Sequence, residues 1–191
     1  DVAPGFRFSK VNRKRVYYPK KNIFTILIGL PIGLPDCIEM LQLFVNLKHK
    51  FDLNKFKILI KPHPTWTDKK IKSLFPNGAL SNFEFIKGDF HDNVEKANLV
   101  VSNASSVSLE ALAKHVPVII VAPSVGIIQN PIPKTVSNKI WCIIHNSIQL
   151  FKAIDHYRNN SSDKFNDYFE KVKNDYFQDI TKKSLNNFLN N

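Results

Sequence analysis

A histidine held between two prolines is the first place in the chain where residue types suggest chemistry. The segment reads Lys61-Pro62-His63-Pro64. Proline restricts its own backbone and that of the residue before it, so the imidazole is held at a fixed angle. A histidine ring can donate to a phosphate oxygen, and Lys61 adds positive charge. The segment therefore predicts a phosphate contact, the alternative being a turn that is merely rigid.

A run of small polar residues forms the second candidate, Ser102-Asn103-Ala104-Ser105-Ser106. A helical pattern follows it, and we predict a helix over 105–114 with Ser105 as its N-cap. The start of a helix presents free N–H groups and a partial positive charge, which suit a diphosphate. The hydroxyls of Ser105 and Ser106 would add two donors. Capping alone explains one serine and not the whole run.

Two further segments can recognise the rest of a nucleotide. Glu110 is the lone acid in the helix after the serines, and its carboxylate could accept both ribose hydroxyls. The alternative is a solvated helix glutamate. Gly88-Asp89-Phe90-His91 offers a place for a base, with Phe90 stacking on it or, equally, packing in the core. Histidine, cysteine and acidic residues show no metal-ligand spacing, so we expect no metal and no cofactor.

The elements that must position these residues alternate along the chain between short β-branched strands and helical patterns. Six strands joined by connections too long for hairpins predict an α/β fold with a parallel sheet covered on both faces. The leading topology is the doubly wound order 3-2-1-4-5-6. We expect helices from an Asp36 N-cap, over 68–74, over 105–114 and from an Asn146 N-cap to Tyr157, and one or two more in the tail. The predicted strands are Asn22–Leu30, Phe56–Lys61, Phe83–Lys87, Leu99–Ser102, Pro117–Val121 and Ile140–Ile144.

Each candidate segment follows the carboxyl end of a predicted strand. Ligands of doubly wound sheets bind outside those ends, so the positions agree with the chemistry. The first strand runs into Gly29-Leu-Pro-Ile-Gly33, which lacks the dinucleotide pattern G-x-G-x-x-G. No Gly-Lys-Ser/Thr of a P-loop occurs either. A dehydrogenase and a P-loop enzyme are therefore set aside.

The charge of the chain is unevenly distributed. More than half of the net charge of +11 lies in residues 1–22, a strip that we interpret as a solvated linker able to contact anionic lipid. Charge without a recognition motif does not indicate nucleic-acid binding. Cys37 and Cys142 are too few for a disulfide framework and are expected to be buried free thiols. Free thiols indicate a reducing cytoplasm, so we predict a cytoplasmic protein, which the basic strip would place peripherally at the inner face of the membrane.

Together the segments resemble a known family. The stretch Glu110-Ala-Leu-Ala-Lys-His-Val-Pro-Val resembles the donor-binding run of GT-B glycosyltransferases, and the Lys-Pro-His-Pro and double-serine segments resemble bacterial capsule and lipopolysaccharide transferases that use CMP- or CDP-activated donors. The resemblance covers about 22–157. It implies a Rossmann-like, metal-independent domain that binds a CMP-, CDP- or UDP-linked sugar for surface-polysaccharide synthesis. It implies phosphate contacts at His63, Ser105 and Ser106 and a ribose contact at Glu110.

Two departures qualify this resemblance. His115 stands where the family usually has glycine, so we expect the helix to end differently and the histidine to be a surface residue. The family also needs an N-terminal domain that supplies the acceptor site and usually the base. We therefore expect 1–22 to be a linker from a missing domain, 23–158 the nucleotide-sugar-binding domain and 159–191 a helical extension. Such a chain alone would bind a donor without transferring its sugar.

Two rival functions remain. A UDP-sugar 2-epimerase of the same fold also carries a histidine–proline element after its second strand, but places acidic residues at the phosphate helix, where this chain has Ser-Val-Ser-Leu. A basic nucleic-acid-binding module belongs to another class, and the strip 1–22 is its only support.

Overall fold

Six parallel strands form a single sheet in the computed structural model, which describes residues 11, 23–52, 54–103, 105–127, 130–160, 162–177, 181 and 186. The spatial order is β3-β2-β1-β4-β5-β6, which confirms the predicted doubly wound α/β topology. The basic strip 1–22, apart from Val11, and most of the tail beyond 177 lie outside the described residues. The strands are β1 Phe24–Gly29, β2 Phe56–Lys61, β3 Glu84–Phe85, β4 Leu99–Ser102, β5 Val118–Val121 and β6 Trp141–Ile144.

Helices cover both faces of this sheet, and alternate strand residues enter two separate cores. Ile26 and Ile28 of β1 face one core, which also contains residues of the first and fifth helices. Leu27 faces the other, with the fourth and sixth helices and Val11. Near-continuous burial on both faces explains why the strands read as apolar runs. The helices are α1 Leu34–Leu47, α2 Asp68–Ser73, α3 Phe90–Val94, α4 Val107–Ala113, α5 Ser147–Asn159 and α6 Asn166–Tyr176, with 3₁₀ turns at Lys48–Lys50 and Ser162–Phe165.

The predicted helix starts are partly right. Asn146 caps α5, and its side-chain oxygen accepts from Gln149 N–H at 3.0 Å, as expected. The Asp36 cap is wrong: α1 begins earlier, with Gly33 as N-cap, and Gly33 O already accepts from Cys37 N–H at 3.1 Å. Asp36 thus lies in the first turn, where its charge still complements the helix dipole. We did not predict α3, which is too short to show a helical period.

His115 ends α4 in the manner of the glycine that it replaces, so the expectation of a different helix end is wrong. Its φ is 59°, a left-handed conformation that histidine adopts more readily than most residues. Val116 N–H donates to Ala111 O at 3.0 Å and His115 N–H to Leu112 O at 2.9 Å, the two bonds of a Schellman motif. The half-buried ring stacks on Phe169 of α6 with centroids 5.4 Å apart.

Both cysteines are free thiols, as predicted. Cys37 is buried and Cys142 half-buried. Burial raises the pKa of each thiol to about 11, so both stay protonated at neutral pH. Among the described residues, no helix combines the length and the apolar character that crossing a membrane requires.

Candidate functional site

A cleft of about 470 Å³ opens at the carboxyl edge of the sheet. It brings together the histidine and serine segments, which are far apart in the sequence but follow β2 and β4, the two strands on either side of β1. Of the predicted site residues, five line this cleft: Lys61, His63, Gly88, Phe90 and Ser105. The remaining walls are Leu30, Pro31 and Ile32 after Gly29 of β1, together with Pro62, Pro64, Asp89, Asn103 and Val107.

The loops on the β1 and β2 side of the cleft are tied to each other. Leu30 N–H donates to Lys61 O at 3.0 Å and so continues the pairing of the two strands into the loops. The Trp66 indole N–H donates to Ile32 O at 2.9 Å, which joins the turn after His63 to the loop after β1. The Cys37 thiol, 3.2 Å from Pro31 O, holds the same loop from α1. This wall of the cleft is therefore already organised before a ligand binds.

The turn at His63 occupies one of the two ring nitrogens of the imidazole. Thr65 N–H donates to His63 Nδ1 at 3.3 Å, and Trp66 N–H donates to the His63 carbonyl at 2.9 Å. His63 Nδ1 also lies 2.9 Å from Thr65 Oγ1, so the contacts of Nδ1 lie within the turn and Nε2 is the ring nitrogen placed to meet a ligand. Lys61 Nζ donates to Pro62 O at 3.2 Å and makes no ion pair within the described chain. The segment thus presents an imidazole nitrogen and an ammonium group.

The serine segment differs from its prediction at the helix start. The N-cap of α4 is Ser106, without a side-chain capping bond, so the predicted cap at Ser105 is wrong by one residue. Ser105 instead accepts Ser108 N–H on its carbonyl at 3.0 Å. Ser105 lines the cleft, whereas Ser106 is exposed and does not line it. Below them, the hydroxyls of Ser102 and Ser108 lie 2.7 Å apart and are fully buried.

Glu110 lies beside the cleft and not in its wall. The residue is only 5% exposed, and His91 Nε2 donates to its Oε2 at 3.0 Å. One turn further on, Lys114 Nζ lies 2.9 Å from Glu95 Oε1. We call these four residues the α3–α4 ladder: positions i and i+4 of each segment are bridged, with the carboxylate on Glu110 in one rung and on Glu95 in the other. The ribose role of Glu110 stays a prediction, since its carboxylate contacts His91.

Sequence reasoning missed the ladder because it missed α3. Once a helix follows Asp89, the i, i+4 spacing of His91 and Glu95 matches that of Glu110 and Lys114, and a basic side chain meets a carboxylate in each rung. His91 Nδ1 is buried and has no hydrogen-bond partner among the described residues. No group of three or more histidine, cysteine or acidic residues in the described part of the chain is placed to hold a metal ion.

The loop before α3 places Gly88 and Phe90 in the cleft. Gly88 has a φ of 89°, a left-handed conformation that favours glycine. Asp89 caps α3 by accepting His91 N–H at 3.0 Å, and Asn93 Nδ2 donates to the carbonyls of Lys87 and Asp89. The ring of Phe90 lies against Gly29, where an added Cβ would be 3.6 Å from it. The Phe90 ring therefore packs against β1 and also lines the cleft.

No protein-family model and no curated protein matches this sequence. Solved structures do match it. The wall teichoic acid polymerase TagF, an H444N variant with CDPG, aligns at 12% identity and a TM-score of 0.57 over 95% of this chain and 44% of its own. The C-terminal domain of the group 1 glycosyltransferase LpcC from Francisella tularensis aligns at 14% and 0.56, over 90% of this chain and 93% of its own.

A third match belongs to another enzyme class. A Listeria monocytogenes protein assigned as a UDP-N-acetylglucosamine 2-epimerase aligns at 17% identity and a TM-score of 0.57, over 89% of this chain and 46% of its own. At such identities the likeness establishes the fold. The chain has the Rossmann-like fold of a GT-B glycosyltransferase domain, in particular of a C-terminal domain, and spans less than half of two of these three proteins.

Proposed function

We propose that the chain binds the nucleotide-activated sugar donor of a metal-independent GT-B glycosyltransferase in bacterial surface-polysaccharide synthesis. One observation carries this proposal: His63 and Ser105 line the same cleft at the carboxyl edge of a doubly wound sheet. That edge is where nucleotides bind in such folds. The catalytic base and the site of the acceptor's reacting hydroxyl belong, in this proposal, to a second domain.

The donor diphosphate lies between the two segments in this proposal. His63 donates through Nε2, Lys61 supplies a charge, and Ser105 supplies a hydroxyl, with Ser106 adding its amide or hydroxyl at the start of α4. Charge-assisted hydrogen bonds of this kind are the strong ones. Positive protein groups then take the place that a metal ion holds in other transferases, and they can stabilise the leaving nucleotide.

The nucleoside lies toward the α3 side. Gly88 leaves room for a close approach to its backbone, and Phe90 offers a ring against which a base can pack. Glu110 is only 5% exposed and its Oε2 accepts from His91, so a ribose would have to reach a nearly buried carboxylate, and we place this contact last in the order of support. An epimerase remains the second candidate, because one protein assigned to that class shares the fold at similar coverage.

Thermal unfolding with CMP, CDP, UDP and GDP tests the donor site directly. A nucleotide at about 100 times its dissociation constant should stabilise the protein by about 2.7 kcal/mol. Cytidine, uridine and guanosine are the matched controls, because they keep the base and ribose and lack the phosphates. If no nucleotide raises the melting temperature above its nucleoside, the donor-binding proposal is wrong. Incubation with UDP-N-acetylglucosamine, followed by NMR for its 2-epimer, tests the second candidate.

A further inference from the structure

A second cavity of about 420 Å³ adjoins the cleft and shares with it Gly88 and the segment Lys61–Pro64. We call the segment Lys61–Pro64 the cationic ridge. The other walls of the second cavity come from the start of α2 and from the end of β3, and not from β1 or α4. The residues that line only this cavity are Trp66, Thr67, Asp68, Lys69, Ile86 and Lys87.

The second cavity carries an excess of positive charge. Lys61, Lys69 and Lys87 line it together with His63, against the single carboxylate of Asp68. None of these three lysines lies within 4.0 Å of a carboxylate oxygen in the described part of the chain, although lysines 55, 57, 114 and 171 do. Like charges collected in one concave site repel each other and attract a counter-ion. The cavity is therefore suited to an anionic group.

We propose that the second cavity binds a phosphate group of the acceptor, on the opposite side of the cationic ridge from the donor diphosphate. This inference rests on the proposed function for the identity of the acceptor, but the anion site stands on its own lining. The cavity is larger than one phosphate group, and Trp66 and Ile86 add apolar wall for the carbon skeleton attached to it. Lys61 and His63 would then lie between two phosphates and screen their repulsion.

The Trp66 indole gives a direct measurement. Trp66 lines the second cavity and not the cleft, and Trp141 in β6 lines neither, so the two indole N–H resonances form an internal comparison. Inorganic phosphate and dimethyl phosphate, titrated separately, should each shift the Trp66 signal to saturation and leave Trp141 in place. Binding of the diester indicates an acceptor with internal phosphodiesters, and binding of inorganic phosphate alone indicates a terminal phosphate monoester. Both outcomes support the site.

Two double variants distinguish binding in the second cavity from non-specific attraction of phosphate to the positive charge of the protein. Lys69→Gln with Lys87→Gln should raise the phosphate Kd roughly tenfold, as loss of charged hydrogen-bond donors does. Lys70→Gln with Lys96→Gln removes the same charge from exposed positions outside both cavities and should change Kd less than about twofold. Equal weakening by both double variants, or the absence of a saturable Trp66 shift, overturns the proposal.

Competition with a nucleotide separates this inference from the proposed function. With CDP saturating the cleft, inorganic phosphate should still shift the Trp66 signal with a Kd within about threefold of its value without CDP. If CDP abolishes phosphate binding, the two cavities form one site and the inference is wrong. If CDP does not bind at all but the lysine-dependent phosphate site persists, the donor proposal fails and the anion site stands.

Discussion

The α3–α4 ladder and the cationic ridge both carry a lysine and a histidine, yet within the described residues these side chains contact carboxylates only in the ladder. Lys114 is 2% exposed and lies 2.9 Å from a carboxylate, and His91 lies 3.0 Å from another. On the ridge, Lys61 and His63 face two cavities and have no carboxylate within 4.0 Å in the described chain.

Burial explains this difference. A charge removed from water needs a partner to offset its lost hydration, whereas a charge at a cavity mouth keeps water until a ligand replaces it. The ladder therefore fixes the position of α3 against α4, and with it the two loops that border the cleft. The ridge keeps its donors free for a ligand. Residue type alone does not distinguish the two roles, because each region uses the same side chains.

Breaking the buried rung should have the largest effect. Glu95→Ala removes the carboxylate from the buried Lys114 ammonium and should lower the free energy of unfolding by about 3 kcal/mol. Glu84→Ala is the matched control, because its pair with Lys57 is about half exposed and should contribute less than about 1 kcal/mol. Urea unfolding measures both. Equal losses in the two variants would mean that the Glu95–Lys114 pair contributes no more to the free energy of unfolding than a surface ion pair does.

On the ridge, we expect a substitution to weaken ligand binding and to leave stability nearly unchanged. His63→Ala should weaken binding of the best nucleotide by about 2 kcal/mol, the magnitude of a hydrogen bond to a charged group. Its free energy of unfolding should stay within about 0.5 kcal/mol of the parent, as for most surface changes. Calorimetric titration and urea unfolding give the two values, with His49→Ala as an exposed histidine control. A variant that unfolds easily but binds normally would make the ridge a rigid turn and nothing more.

The ridge could be predicted from the sequence, whereas the ladder could not. Strand order and the meeting of His63 with Ser105 follow from apolar periodicity and from the rule that parallel strands end at one edge, and both were predictable. The partner of Glu110 was not, since it depends on a helix of five residues that has no measurable period. The conformation of His115 was hidden for a similar reason: a left-handed residue is signalled by glycine, and here histidine occupies the position.

His115, like the residues of the ladder, contacts a carboxylate: its Nε2 lies 3.1 Å from Glu170 Oε1 of α6. Both His115→Ala and His115→Gly lose the ring contacts, but only alanine keeps a Cβ at positive φ. Glycine should therefore be the more stable of the two variants by about 1 kcal/mol. At the exposed α5 position Lys152, the order should reverse by a similar amount, because alanine is the better helix former. Thermal unfolding of the four variants checks the sign at each position.

The smallest effect is expected at the start of α4, where a helix end borders the cleft without a side-chain cap. Ser106→Ala removes no capping bond and should lower the free energy of unfolding by about 0.3 kcal/mol. Asn146→Ala, at the start of α5, removes the acceptor of Gln149 N–H and should cost about 1 kcal/mol. The comparison holds only if Ser106→Ala is the milder of the two in urea unfolding. A loss at Ser106 equal to that at Asn146 would show that its hydroxyl is committed to folding, and that the serine segment has one donor fewer for a phosphate.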